Sequence, residues 1–268
     1  MPPAFETVDS DAHVESTLLA TSALLFIASA GATTWWCGSM AGGMAMPGGW
    51  TMSMAWMRMP TQTWLGATAS FMGMWLVMMV AMMLPSLTGM LMSYRRALRH
   101  VGTAQLRRAT VRAGAGYFLV WMLVGAAVYP LGIVLAAAAM RSEGLSHLVP
   151  LATGAVLLIA GCVQLSGWKA RQLALCRDSP ECVAAPAAGA RSGWMHGLHL
   201  GVHCSLCCSG YIMILLVTGV MNVGVMAIVA AAITIERLVP SPQHIARTAG
   251  LIVIAAGAIA IVRALLPP

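Results

Sequence analysis

The residues best suited to metal chemistry lie in one short segment of the last third of the chain. The segment holds three imidazoles and three thiols: His196, His199, His203, Cys204, Cys207 and Cys208. A helix turns by about 100° per residue, so the three histidines and Cys207 would share one stripe, with Cys204 and Cys208 beside it. Imidazole and thiolate bind soft or borderline ions such as Cu(I) and Zn(II). The spacing therefore predicts a metal site.

The same segment has a second interpretation, as a packing face. Buried cysteine often acts as a small inert hydrophobe. Gly197 and Gly201 lie four positions apart and could form a small-residue seam against another helix. Polar side chains at membrane depth are nevertheless rare and costly. Six of them so close together favour metal binding.

Methionine supplies a second set of soft donors, with 22 residues in the chain. On a helix over 64–93, one face would carry Met72, Met79, Met83 and Met90. A thioether binds Cu(I) without deprotonation and hardly binds Zn(II), so this face favours copper, with Zn(II) a weaker candidate. Methionine is also a flexible core filler, and that alternative stays open for the helix face.

A Gly- and Met-rich loop over 37–63 precedes that helix. Its candidate ligands are Met44, Met46, Met52 and Met54. We expect this loop to be exposed, with no core for its methionines to fill, so it could capture copper. Cys37 could add a thiol ligand beside Met40 and Met44.

The composition indicates which elements position these residues. The chain is 59% hydrophobic and 9% charged, whereas soluble domains are about a quarter charged. This predicts an all-α, polytopic transmembrane bundle that forms a single domain over 1–268. Seven apolar stretches are long enough to span a bilayer. They are 17–36, 64–93, 113–140, 146–168, 194–219, 221–238 and 246–266. The first follows an acidic N-terminus, so we interpret it as a retained helix.

The basic residues orient the predicted bundle. Twelve of the fifteen Lys and Arg residues, including Lys169 and Arg237, flank the spans on one side, and three fall on the other. The positive-inside rule then makes the N-terminus cytoplasmic and loop 37–63 periplasmic. The net charge of +7 is explained by topology, and the sequence carries no nucleic-acid-binding motif.

Several kinds of chemistry find no support in the sequence. Essentially no carboxylate falls inside a predicted span, because Glu236 is expected at a helix end beside Arg237. A proton relay therefore lacks its usual acid. No nucleotide-binding loop or hydrolytic constellation is present either, so we expect a protein that is not an enzyme.

Several motifs together resemble a known family. They are Met-Val-Ala-Met-Met-Leu-Pro-Ser (79–86), Leu-x-x-Cys-Arg (173–177), Gly-x-x-x-Gly-x-x-Cys-x-x-Cys-Cys (197–208), Gly-Val-Met-Asn (219–222) and Glu-Arg-x-x-Pro (236–240). They are similar to the bacterial predicted metal-binding integral membrane proteins, a domain of unknown function with some members labelled copper chaperones. The resemblance covers roughly 64–262 and implies metal binding without a mechanism.

These observations predict a protein that delivers or transports Cu(I) in the bacterial inner membrane. The loop would capture the ion, the second helix would carry it inward, and the His/Cys segment would hold it. A cuproenzyme or a periplasmic copper carrier would be the partner, in addition to lipid. The alternatives are a structural or assembly subunit of a larger membrane complex, a thiol redox protein, and a zinc or nickel transporter.

Overall fold

A computed structural model of the chain describes residues 4–40, 42–58, 62–98, 102–178, 190–239 and 241–266. Nearly all of these residues are helical. The α-helices are α1 (Ala4–Ser39), α2 (Trp64–Ala97), α3 (Thr103–Arg141), α4 (Glu143–Leu165), α5 (Gly167–Asp178), α6 (Ala190–Cys207), α7 (Ser209–Thr218), α8 (Val223–Leu238) and α9 (Pro242–Leu265). The predicted all-α class is confirmed, apart from one short hairpin.

Within the described residues, five helices are long and apolar enough to cross a membrane. They are Ser16–Ser39 within α1, and α2, α3, α4 and α9. A sixth span results if α6 and α7, bent by 61° between them, cross together. The predicted span 221–238 corresponds to α8, whose 16 residues, rising about 1.5 Å each, are shorter than the ~30 Å hydrocarbon core. The chain is thus a helical membrane protein with five or six candidate spans, and the count of seven stays a prediction.

The prediction of one continuous helix over 194–219 is wrong, because the helix breaks at Cys208. The backbone of Cys208 (φ −92°, ψ 2°) lies between the helical and extended regions. The turn predicted at 219–222 is confirmed. Gly219 has a φ of +107°, which glycine adopts without steric cost. The Asn222 side chain then accepts a hydrogen bond from Val225 N at 3.1 Å and caps α8.

Helix α2 forms the centre of the bundle. It begins where Thr63 Oγ1 accepts a hydrogen bond from Gly66 N at 3.1 Å, which caps its first turn. Helices α1, α3 and α8 pack against it. Trp75 of α2 is fully buried, and its indole N–H donates to the Trp121 carbonyl of α3 at 2.9 Å. The methionine-rich helix therefore contributes to the core.

Glycines allow two helix pairs to approach closely. A Cβ atom added to Gly197 of α6 would lie 2.1 Å from the Ala113 carbonyl oxygen of α3. Gly201 has similarly little space against the Tyr117 carbonyl. On the other side of the bundle, Gly161 of α4 meets the backbone of Gly250 on α9. The small-residue seam thus packs α6 against α3, as is typical of membrane helices.

The loop between α1 and α2 is folded and packed. Two strands, β1 (Met44–Met46) and β2 (Trp50–Met52), form an antiparallel hairpin, followed by a short 3-10 helix, Met54–Trp56. The Trp50 indole N–H donates to the Ser146 carbonyl at 3.0 Å, which joins the hairpin to α4. Met52 is only 1% exposed and packs with Ala136 and Ala139 of α3. The expectation that these methionines have no core to fill is wrong for Met52.

Candidate metal centre

The candidate centre lies at the bend between α6 and α7. Cys204 and Cys208 are both buried, and their sulfur atoms are 4.0 Å apart. They are four positions apart, so a helical turn brings them to one face. The bend itself is held by Lys169 of α5, whose Nζ donates to the Cys207 carbonyl at 2.8 Å.

The guanidinium of Arg237, at the end of α8, sits among three sulfur atoms. Its Nη2 donates to Cys204 Sγ at 2.9 Å and lies 3.9 Å from Cys208 Sγ. Its Nη1 lies 3.6 Å from Met90 Sδ, on α2. Three soft donors from α2 and the α6–α7 bend therefore converge on one cation. This arrangement can stabilise thiolates, and the same donors suit a soft metal cation.

Helix α3 contributes a hydroxyl to this centre. Tyr117 is fully buried, and its hydroxyl forms a hydrogen bond with Cys204 Sγ at 2.9 Å. The close approach of α3 and α6 at Gly197 and Gly201 brings the two side chains together. The packing seam and the candidate centre are thus parts of one structure.

A buried ion pair lies beside the cysteines. Lys169 Nζ and Glu236 Oε2 are 2.9 Å apart, and the two side chains are 1% and 2% exposed. The Tyr211 hydroxyl donates to the other oxygen of Glu236. Burial lowers the pKa of Lys169, but electrostatic interactions with Cys207 and Glu236 more than offset it, so the pKa is raised. A charged lysine here is consistent with its close carboxylate partner.

Glu236 lies near the end of α8 beside Arg237, as expected, but both Glu236 and Lys169 are buried. The reason is tertiary: α5 folds back against α6, and α8 packs against α2, so the charged ends of apolar stretches become enclosed. Helix packing, rather than solvent, therefore surrounds both charged side chains.

The three predicted histidines contact aromatic and polar side chains. His196 is buried and stacks on Tyr94 of α2, with ring centroids 4.4 Å apart. The rings of His199 and His203 are also 4.4 Å apart, edge to face. His199 is exposed, and His203 Nδ1 lies 3.4 Å from Gln172 Oε1 on α5. His196 therefore contacts α2, and His203 contacts α5 and His199.

The six predicted ligands are thus divided between faces. Cys204 and Cys208 converge on Arg237, whereas buried Cys207 packs with Leu173 and Met90 and interacts through its side chain with Cys208. Among the described residues, no group of three or more His, Cys, Asp or Glu side chains is arranged to hold one ion. The helical angles explain the division, because they already placed Cys204 and Cys208 to one side of the histidine stripe. Metal binding by each residue stays a prediction.

The methionine face of α2 is largely internal. Met79 and Met83 are fully buried, and Met72 and Met90 are half-buried. Only Met90 of these four reaches the sulfur cluster through a contact that the structure shows. Met79 and Met83 lie in the main core, as the packing interpretation expects.

The loop methionines occupy different environments. Met44 is 43% exposed, Met46 and Met54 are half-buried, and Met52 is buried. Met44, Met46 and Met52 lie on one face of the hairpin, because Met44 pairs with Met52 and Met46 is two residues from Met44. Their exposure differs, so they do not form one exposed ligand set. Cys37 is buried, and its thiol lies 3.9 Å from Met221 Sδ rather than among the hairpin methionines.

Sequence reasoning missed the charged and phenolic side chains that surround the cysteines. These are Tyr117, Lys169, Tyr211, Glu236 and Arg237. The Glu-Arg-x-x-Pro motif was a usable signal, because an acid and a base at the end of an apolar stretch must either reach water or find partners. The tyrosines carried no such signal, because each lies within an ordinary apolar helix.

Comparison with known proteins provides independent information. Residues 72–260 match the family model described as PpoB2: Copper chaperone. The match covers more than two thirds of the chain and includes Met90, the cysteines and the buried ion pair. It confirms the family resemblance that the motifs indicated. Comparisons with curated proteins and with solved structures gave no match.

Proposed function

Because the chain belongs to the PpoB2 copper chaperone family, we propose that it binds Cu(I) within the membrane and hands it on. The proposed ligands are Cys204, Cys208 and Met90. The convergence of their three sulfur atoms on the Arg237 guanidinium is the observation that carries the proposal. We assign no catalytic role to these residues.

The spacing of the two thiols suits a shared metal ion. Two sulfurs that each bind a metal at about 2.3 Å, the length of a zinc–thiolate bond, are about 4 Å apart in a trigonal arrangement. Cys204 Sγ and Cys208 Sγ are 4.0 Å apart. The thioether of Met90 would supply the third donor, and its presence favours Cu(I) over Zn(II).

Arg237 occupies the position that the metal would take. Its Nη2 is 2.9 Å from Cys204 Sγ, so the guanidinium must withdraw before an ion can bind there. Two thiolates around Cu(I) carry one net negative charge, and a withdrawn Arg237 could balance that charge from nearby. Such a counter-charge matters because an uncompensated charge is costly at this depth.

The proposed topology follows from the basic residues. Seven spans would require α6 and α7 to form one bent span and α8 to cross as a short helix. The N-terminus would then be cytoplasmic, in the bacterial inner membrane, and the hairpin periplasmic. The partner would be a cuproenzyme or a periplasmic carrier, and transport across the membrane is compatible with the same site.

The assembly-subunit alternative receives less support from the packing. That hypothesis uses the glycines as contact points for a partner protein. Gly193, Gly197 and Gly201 instead pack against α3 of the same chain. Thiol labelling with and without reductant tests a redox role for Cys204 and Cys208, because that role requires a reversible disulfide.

The proposal is tested by measuring Cu(I) bound to the purified, reduced full-length chain. The C204S/C208S variant should bind one Cu(I) ion fewer than the unmodified chain. Cys162 provides a matched control, because it is an exposed free thiol on α4, so C162S should bind copper normally. X-ray absorption should show copper–thiolate bonds only in the chains that retain both cysteines. Undiminished Cu(I) binding by C204S/C208S would refute the site.

A further inference from the structure

A small cavity of about 50 Å³ lies near the far end of α2 from the cysteines. Five methionines line it: Met40, Met54, Met57, Met74 and Met221. On α2, Met74 precedes Met90 by sixteen residues, so about 24 Å of helix separates the cavity from the cysteine centre. The two places are therefore distinct.

The methionines reach this cavity from separate parts of the chain. Met40 follows α1, Met54 and Met57 follow the hairpin, and Met74 lies on α2. Met221 comes from the turn between α7 and α8. Its Sδ atom lies 3.9 Å from the buried Cys37 Sγ. A thiol is thus close to the thioethers on one side of the cavity.

Ordinary packing does not account well for this arrangement. Methionine is used in cores because its flexible side chain fills irregular gaps. Here five methionines surround a gap that they leave open. The space exceeds the roughly 10–15 Å³ that one water needs, and Gln62, Ser70 and Tyr129 line it beside the thioethers. The cavity has the size for a small guest and the donor chemistry for a soft cation.

We propose that this cavity is a second metal site, which binds a soft monovalent cation, Cu(I), through methionine thioethers. Thioethers bind Cu(I) or Ag(I) without losing a proton and discriminate against Zn(II) and hard ions. The hairpin then has a structural role, because it holds Met54 and Met57 against the cavity. This site does not require the cysteine centre, so it can be right even if the proposed function is wrong.

Four buried methionines of α2 lie between the two sites. They are Met78, Met79, Met82 and Met83. Positions four apart on a helix are neighbours on one face, so Met74, Met78 and Met82 form a row that begins at the cavity. Thioethers in such a row could pass a soft ion along α2 in the direction of Met90.

The site is tested by titrating the reduced full-length chain with Ag(I), a probe for Cu(I), in the presence and absence of excess Zn(II). Together, M74L and M221L should abolish one Ag(I) equivalent that Zn(II) does not compete for. Leucine keeps the apolar volume, so the fold should survive, which circular dichroism can verify. M140L is the matched control, because Met140 is exposed on α3 and does not line the cavity.

The outcome is separable from that of the cysteine centre. The M74L/M221L variant should keep the ion that depends on Cys204 and Cys208, and C204S/C208S should keep the cavity ion. A folded M74L/M221L variant that binds as much Ag(I) as the unmodified chain would overturn the cavity site. Loss of one Ag(I) equivalent in M74L/M221L but not in M140L would support the cavity site, whatever the result for C204S/C208S.

Discussion

The E236Q substitution tests whether the ion pair beside the cysteines is as desolvated as its geometry indicates. Glutamine keeps the size of the side chain and can still accept a hydrogen bond from Tyr211, so the main change is the lost charge. Lys169 would remain 1% exposed, with its ammonium 2.9 Å from a neutral amide. Removing one partner of a buried pair typically destabilises a protein by about 3–5 kcal/mol. We expect the free energy of unfolding to fall by that amount.

A double-mutant cycle separates the charge from the local packing. The cycle compares K169M, E236Q and K169M/E236Q. The double variant removes the stranded ammonium and should recover part of the loss, although it also lacks the hydrogen bond from Lys169 to the Cys207 carbonyl. Unfolding in mixed micelles, followed by circular dichroism, measures each variant. E143Q is the control, because Glu143 is exposed at the start of α4 and should matter by less than about 1 kcal/mol. The desolvated-pair interpretation is refuted if E236Q costs no more than E143Q, or if the double variant is no more stable than E236Q.

Two further substitutions address the packing around the cysteines. G197A places a Cβ atom 2.1 Å from a backbone oxygen of α3, so it should lower the free energy of unfolding by about 1–3 kcal/mol and weaken Cu(I) binding. G114A is the control, because a Cβ atom there has nothing within 4 Å, and it should have neither effect. Equal stability of the two variants would contradict the close approach of α6 to α3. Y117F removes the hydroxyl that lies 2.9 Å from Cys204 Sγ. It should lower the free energy of unfolding by about 1 kcal/mol without changing the number of bound Cu(I) ions. Loss of the ion would mean that the hydroxyl is needed to hold it.

Much of the helical framework could be predicted, because helices surrounded by lipid must be apolar and long apolar stretches are visible in the sequence. The predicted stretch 64–93 corresponds to α2 (Trp64–Ala97), and 146–168 to α4 (Glu143–Leu165). Helix α3 begins at Thr103, ten residues before the predicted 113–140, because its arginine-bearing first turns remain helical outside the apolar window. The break at Cys208 was not predictable, because the apolar pattern continues through it.

The sequence predicted the cysteines of the candidate centre but not their partners, for a related reason. Thiols at helical spacing indicate soft-metal chemistry from their types alone, and Cys204 and Cys208 do share a face. Their partners come from helices remote in sequence, such as Arg237 on α8 and Tyr117 on α3. Hydropathy treats a charged residue at the end of an apolar stretch as solvated. Whether such a residue is solvated depends on tertiary packing, and local sequence patterns carry no information about that packing.

The two proposed sites differ in charge, and this difference bears on the direction in which an ion would move. A cation held only by neutral thioethers, as beside Met221, keeps its full positive charge. The same cation between the Cys204 and Cys208 thiolates becomes part of an anionic group that Arg237 can neutralise. Opposite charges a few ångströms apart attract strongly when they are buried. Electrostatics therefore favours passage from the methionine cavity to the cysteines, and release from the cysteines would require a partner that supplies thiols of its own.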